Sequence, residues 1–101
     1  MLTFNLKKEW FEKIKSGEKT HEYRLYNPYW ITRINNALLK SKEPQCCFAC
    51  GYPQANDTEK RIYGKITNVQ IIDGKHSDLE YEGTLVFKIW FELIKEQEDA
   101  R

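Results

Sequence analysis

Apolar side chains recur along this chain with two different periods, and the switches between them lay out the elements. Residues 2–6 (Leu-Thr-Phe-Asn-Leu) alternate apolar with polar and predict a short entering strand. Residues 7–16 change period. Trp10, Phe11 and Ile14 fall on one helical face while lysines and glutamates fill the other. Gly17 stands where a helix C-cap belongs, able to take a left-handed conformation. Residues 19–25 (Lys-Thr-His-Glu-Tyr-Arg-Leu) return to the strand period. His21, Tyr23 and Leu25 share one face of it, and Thr20, Glu22 and Arg24 the other. Few of these positions are apolar, so this strand is expected to line something wet or functional.

Asn27-Pro28 predicts a second helix start, with Asn as N-cap and Pro at the first helical position. Ile31, Ile34 and Leu38 continue it at helical spacing to about residue 40, and residues 41–44 form a turn. Residues 45–52 read as a strand and 53–59 as an exposed loop. A longer strand spans 61–72, with Ile62 and Ile66 on one face. Val69 and Ile71 fall on the other parity, which a bulge near Asn68 explains. Asp73-Gly74 is a turn signal. In the last strand Leu85, Phe87, Ile89, Phe91 and Leu93 alternate unbroken, so one whole face is assigned to the core. The charged tail 96–101 is expected to fray. The order is strand, helix, strand, helix, then three strands, without repeat or linker. It predicts a single α+β domain over 1–101: a small curved or closed barrel of about five strands with two flanking helices.

Composition narrows the function classes. Aromatic residues make up 14% of the chain, giving a small core bulk and offering flat faces on which bases can stack. Net charge is only +1, so nucleic acid is not held by bulk electrostatics and any such role rests on a local pocket. Neither a leader-like start nor an apolar run of ~20 residues is present, so a cytoplasmic protein is expected, apart from the membrane. Cys46, Cys47 and Cys50 include a formal C-x-x-C. In a strand, residues three apart point to opposite faces and cannot share a metal, so buried apolar cysteines are the simpler account. No metal or cofactor is expected. His21 and His76 have no nucleophile at a telling spacing, and there is no Gly-rich phosphate loop or Ser-centred elbow.

The segment from Ser16 to Arg24 resembles the signature of the ASCH (activating signal cointegrator homology) family. That signature is G-x-K-x-x-E-x-R just after an N-terminal helix, and Gly17, Lys19, Glu22 and Arg24 match its four fixed positions. The approach from Lys7 to Ile14 resembles the family's first helix. Pro28-Tyr29-Trp30 and Phe48-Ala49-Cys50-Gly51-Tyr52 resemble short stand-alone members, many of them bacterial or phage-borne. The resemblance implies a small PUA-like β-barrel with a cleft beside the signature strand, and RNA or a modified nucleoside or nucleotide as ligand. It also implies an alternative, since one bacterial branch is an amidohydrolase that deacylates acetylcytidine. In that branch a Lys at the position of Lys19 is catalytic. A Thr stands where this chain has Glu22, and the catalytic Glu comes from a helical insertion that this chain lacks. Asp78, Glu80 and Glu82 lie near that region in order, but none can be matched.

On their own chemistry, Arg24 offers a planar fork for a phosphate, a carboxylate or a base edge. Glu22 can pair with it, and an ion pair shaping the barrel wall is an equally good account of both. Lys19 has the wrong parity to join Glu22 on a regular strand. It can do so only from the turn after Gly17. The expected ligand-binding set is therefore Lys19, Glu22 and Arg24 with Tyr23, Trp30 and Tyr52 as aromatic platforms, and Lys19 and Glu22 would be catalytic only in an enzyme. Trp30 is favoured among the aromatics because Ile31, Ile34 and Leu38 already supply its helix's apolar stripe. Tyr26 is a further stacking candidate, and Lys60, Arg61 and Lys65 could extend a basic rim. A monomer is expected. An interaction protein that keeps the fold without the cleft chemistry is the third reading.

Overall fold

The computed structural model describes residues 1–54, 56–79 and 81–94. Its elements run β1 (Leu2–Leu6), α1 (Lys8–Lys15), β2 (His21–Leu25), α2 (Pro28–Lys40), β3 (Gln45–Cys50), a 3₁₀ turn (Thr58–Lys60), β4 (Arg61–Gly74) and β5 (Tyr81–Leu93). The predicted tail at 96–101 lies outside the described residues, as does Glu80. No helix among the described residues is long and apolar enough to cross a membrane.

The five strands form one sheet in the order β1-β3-β4-β5-β2. β1 runs parallel to β3, and every other neighbouring pair is antiparallel. A parallel pair needs a crossover, and here the chain between β1 and β3 supplies α1, β2 and α2. The sheet curls into a half-barrel whose edges are β1 and β2. The architecture is thus the expected α+β barrel type with two flanking helices, curled rather than closed. A side chain spans part of the gap between the edges: the Arg24 Nη2 of β2 donates to the Asn5 carbonyl of β1 at 3.3 Å.

The concave face holds the core. Phe4, Ile14, Ile34, Phe48 and Ile89 are fully buried. Phe48 links the strands, its ring centroid 5.6 Å from that of Phe4 and 4.5 Å from that of Phe91. The expected bulge is present, as a register shift in the β4–β5 ladder between Ile66 and Asn68. β5 departs from expectation at its start. Leu85 is half exposed, because the β4–β5 hairpin there extends past the core, while Phe87, Ile89 and Phe91 are buried. β4 continues through Asp73 and Gly74, and the turn begins at Lys75, whose N–H is held by the Asp73 carboxylate.

Helix α2 starts as predicted. The Asn27 side chain accepts the Trp30 N–H at 2.9 Å, and Pro28 fills the first turn. Its apolar stripe is rotated from the expected one. Leu38 is 41% exposed, while Trp30, Ile31 and Ala37 pack with Ile34 against the core. Trp30 faces inward because Phe4 of β1 lies beneath it, the rings 5.5 Å apart and nearly parallel.

A candidate ligand cleft at the open seam of the sheet

Helix α1 ends in a way that fixes the first candidate side chain. Gly17 takes φ +86° and its N–H returns to the Ile14 carbonyl. The Lys19 N–H then bonds the Lys13 carbonyl at 3.0 Å. The chain is folded back over the last helical turn, so Lys19 precedes the regular strand, which begins at His21. That irregularity removes the parity obstacle. The Lys19 Nζ donates to Glu22 Oε1 at 3.2 Å and to Asp78 Oδ2 at 2.8 Å.

Glu22 is buried, and its two oxygens are treated unequally. Oε1 accepts the Tyr23 N–H at 3.0 Å and Lys19, with Arg24 Nη1 3.4 Å away. Oε2 is closed off from solvent and has no hydrogen-bond partner among the described residues. Such an acceptor is uncommon and costs about 1–3 kcal/mol when left unmet. Arg24 turns its fork to the main chain, donating from Nη1 to the Tyr23 carbonyl at 2.7 Å and from Nη2 to Asn5. Its guanidinium carbon lies 5.0 Å from the Phe4 ring centre and 5.3 Å from that of Trp30. Burial pulls this guanidinium below its ordinary value and Glu22 opposes that pull; Arg24 stays charged.

These groups meet at a cleft of about 430 Å³, inside the span of roughly 300–1,000 Å³ typical of small-molecule sites. Its walls come from the end of β1, from Trp10 of α1, from 22–25 of β2, from Trp30, and from Asp78 and Leu79 after β4. The Lys19 ammonium lies 4.6 Å from the Trp10 ring centre. Lys19, Arg24, Glu22 and Asp78 cancel in charge, and Lys7 at the rim leaves one net positive charge. A near-neutral cleft with two indole walls suits a flat polar molecule better than a polyphosphate.

Tyr23 also contributes to the cleft wall, but it is buried, with its ring edge-on to His21 at 5.2 Å. Burial raises its pKa, with a further push from Asp78. Tyr52 is not part of the site. It is 90% exposed beyond β3, where Gly51 at φ +67° turns the chain away. Tyr26 packs on Phe87, 5.1 Å between ring centres, and does not line the cleft. Lys60, Arg61 and Lys65 also lie elsewhere: Lys60 pairs with Asp57, Lys65 with Glu43, and Arg61 donates to the Pro53 carbonyl.

Of the cleft residues outside the expected ligand-binding set, Asp78 and Trp10 matter most. Asp78 stands 59 positions from the lysine it binds, and the β4–β5 hairpin register, which no local pattern encodes, carries it there. Trp10 packs from the apolar face of α1 against the core as expected, but it is only half-buried and its remaining surface forms a wall of the cleft. Among the described residues no three His, Cys, Asp or Glu side chains are grouped to hold a metal ion. Cys46 and Cys47 are buried and Cys50 is partly so; burial pushes the Cys46 thiol up to about 12. Comparison of the chain with protein-family models, with curated proteins and with solved structures found no match.

Proposed function

We propose that this protein binds a nucleobase, presented by an RNA or a nucleotide, in the seam cleft. The observation that carries the reading is Glu22, a buried carboxylate in the cleft wall with one oxygen saturated and the other unmet. An exocyclic amine or ring N–H of a base supplies the missing donor, while Trp10 or Trp30 offers the ring a flat neighbour. Oε2 is shielded from solvent, so the ligand must displace a neighbour to reach it. The Lys19–Asp78 pair is the tie that yields most easily, since the Asp78 side chain is 47% exposed. Lys19 then turns to a carbonyl or phosphate oxygen of the ligand. The resemblance of Gly17, Lys19, Glu22 and Arg24 to the ASCH signature supports the same ligand class.

The test is a titration of the protein with cytidine, adenosine, guanosine, uridine and their monophosphates, followed by tryptophan fluorescence and amide chemical shifts. Binding is expected to favour bases that carry an amine over uridine. Glu22→Gln should erase that preference, and Lys19→Ala should weaken all ligands alike. No binding at millimolar concentration, or a preference unchanged in Glu22→Gln, rejects the reading.

One observation favours a catalytic variant of the same reading. Asp78 brings a second carboxylate to Lys19, and it lies near the region in chain order where the amidohydrolase branch supplies its catalytic Glu, although the sequence alone does not match it to that residue. Under this variant the protein deacylates a modified nucleoside, with Lys19 and Glu22 as the proton-handling pair. Incubation with acetylcytidine followed by chromatography decides it. Turnover abolished by Asp78→Asn would establish the enzyme, and none above background at high protein concentration leaves the binding reading alone.

A further inference from the structure

A second hollow, larger than the cleft at about 590 Å³, lies along the outer side of β1, between it and α2. Parallel pairing decides which main-chain groups of β1 face it. The Leu6 carbonyl accepts the Gly51 N–H beyond β3 while Leu6 is in register with Cys50. In a parallel ladder alternate residues direct both main-chain groups to the same neighbour. Leu2, Phe4 and Leu6 therefore bond to β3, and Thr3 and Asn5 turn theirs to the outer edge. The bond from Arg24 to the Asn5 carbonyl agrees with this parity. The Thr3 N–H, the Thr3 carbonyl and the Asn5 N–H are left facing the hollow, at the two-residue spacing that a strand edge presents.

The opposite wall is α2. It contributes Tyr29, Arg33, Ala37 and Lys40. Arg33 lies 3.7 Å over the exposed ring of Tyr29, and neither Arg33 nor Lys40 meets a carboxylate among the described residues. Among the described residues the only carboxylate in the groove, Glu43, is engaged by Lys65 at 3.7 Å. Arg33 and Lys40 are separated by about 10.5 Å of helix rise, a span their long side chains can match to carboxylates two or four residues apart on the one face that an added strand turns to α2.

We propose that this groove takes an extended acidic peptide, which adds a sixth strand beside β1 while its carboxylates meet Arg33 and Lys40. Unmet donors and acceptors at strand spacing are satisfied in pairs by another peptide backbone. A nucleic-acid strand has no matching alternation, so the observations favour peptide. The inference is independent of the cleft reading, because it uses none of Lys19, Glu22 or Asp78.

The experiment has two parts. Amide hydrogen exchange on the unliganded protein should find Thr3 and Asn5 fast and Phe4 slow. Thr3 and Asn5 already protected would mean the edge is covered, which overturns the proposal. A random octapeptide display library is then panned on the intact chain and the enriched sequences are synthesised. Acidic sequences are expected, protecting Thr3 and Asn5 on binding. The charge-reversed double variant Arg33→Glu, Lys40→Glu should weaken them about tenfold or more, and Lys19→Ala should leave them unchanged. No enrichment above library background, or enriched peptides indifferent to the charge reversal, overturns it. So does protection of the same amides by oligouridylate in place of peptide.

Discussion

Replacement of Arg24 by Ala should cost this protein a large part of its stability, because the guanidinium is a strut as well as a cleft wall. Its side chain is only 17% exposed and contacts both edges of the sheet. Truncation removes bonds to the Tyr23 and Asn5 carbonyls and leaves Glu22 with one cationic partner. Hydrogen bonds to charged groups are worth about 1.5–3 kcal/mol each, and removing one partner of a buried ion pair costs about 3–5 kcal/mol. Because these figures overlap in what they count, the expected loss is about 3–5 kcal/mol, a substantial share of the 5–15 kcal/mol typical of a domain. Urea unfolding followed by circular dichroism reads it directly. With a slope of about 1–3 kcal/mol/M the midpoint should fall by roughly 1 M or more. Arg24→Lys separates the strut from the charge. An ammonium restores the charge but cannot reach Asn5, Tyr23 and Glu22 as one planar fork, so about 1.5–3 kcal/mol should remain lost. Two results refute the reasoning: Arg24→Ala within about 1 kcal/mol of the parent, or Arg24→Lys fully restoring it. The same strut makes Arg24 a poor probe of binding, which is why the ligand tests rest on Lys19 and Glu22.

Acid should weaken the fold through His21. Burial is the main cause that lowers its pKa below 6.5, with Lys88 and Lys19 adding to it. The unfolded chain then protonates first as pH falls, so stability is fully present above about 6.5 and is lost below it toward the depressed folded value. Replacement by Phe should flatten that part of the urea midpoint–pH profile; an unaltered slope would assign the loss to other groups. The thiols should react in order of burial. Cys50 is expected to react first with an aromatic disulfide reagent at pH 8, and Cys46, whose thiol is pushed up to about 12, only on unfolding. Rapid labelling of all three thiols in the native protein would contradict the packing of β3.

Much of the architecture was legible because it is written in local periodicity. The bulge at Asn68 followed from a change of parity, and the start of α2 from Asn27-Pro28. Lys19 was legible for a related reason: Gly17 marks the irregular turn that lets an odd residue join an even-numbered face. What remained hidden depends on contacts between distant elements. Trp30 turned inward and Leu38 outward because Phe4 lies beneath the helix, and a helix cannot record in its own spacing which strand it will meet. Asp78 was unreadable for the same reason, since hairpin register set its position. Tyr52 falls outside the cleft because a strand pattern does not state where the strand ends, and pairing stops two residues before it.

The polarity of β2 and the incompleteness of the barrel have one explanation. A closed barrel satisfies every strand edge with another strand. Among the described residues this sheet stops at five strands, with β1 and β2 as its unpaired margins. Between such margins the main chain needs partners that backbone pairing does not supply, and apolar side chains cannot supply them either. Arg24 meets the need at Asn5, and burying its charge then requires a buried carboxylate beside it, which Glu22 provides. Glu22 in turn draws in Lys19, and Lys19 draws in Asp78. Each step moves one place further from the strut and toward the open cleft, and geometric need weakens along the way, from a fork fixed at both edges to a half-exposed carboxylate. Selection for a ligand can act only where that need has relaxed. Under the proposed binding function, the residues open to tuning are Lys19, Asp78 and the unmet oxygen of Glu22, and specificity should change with them before the fold does.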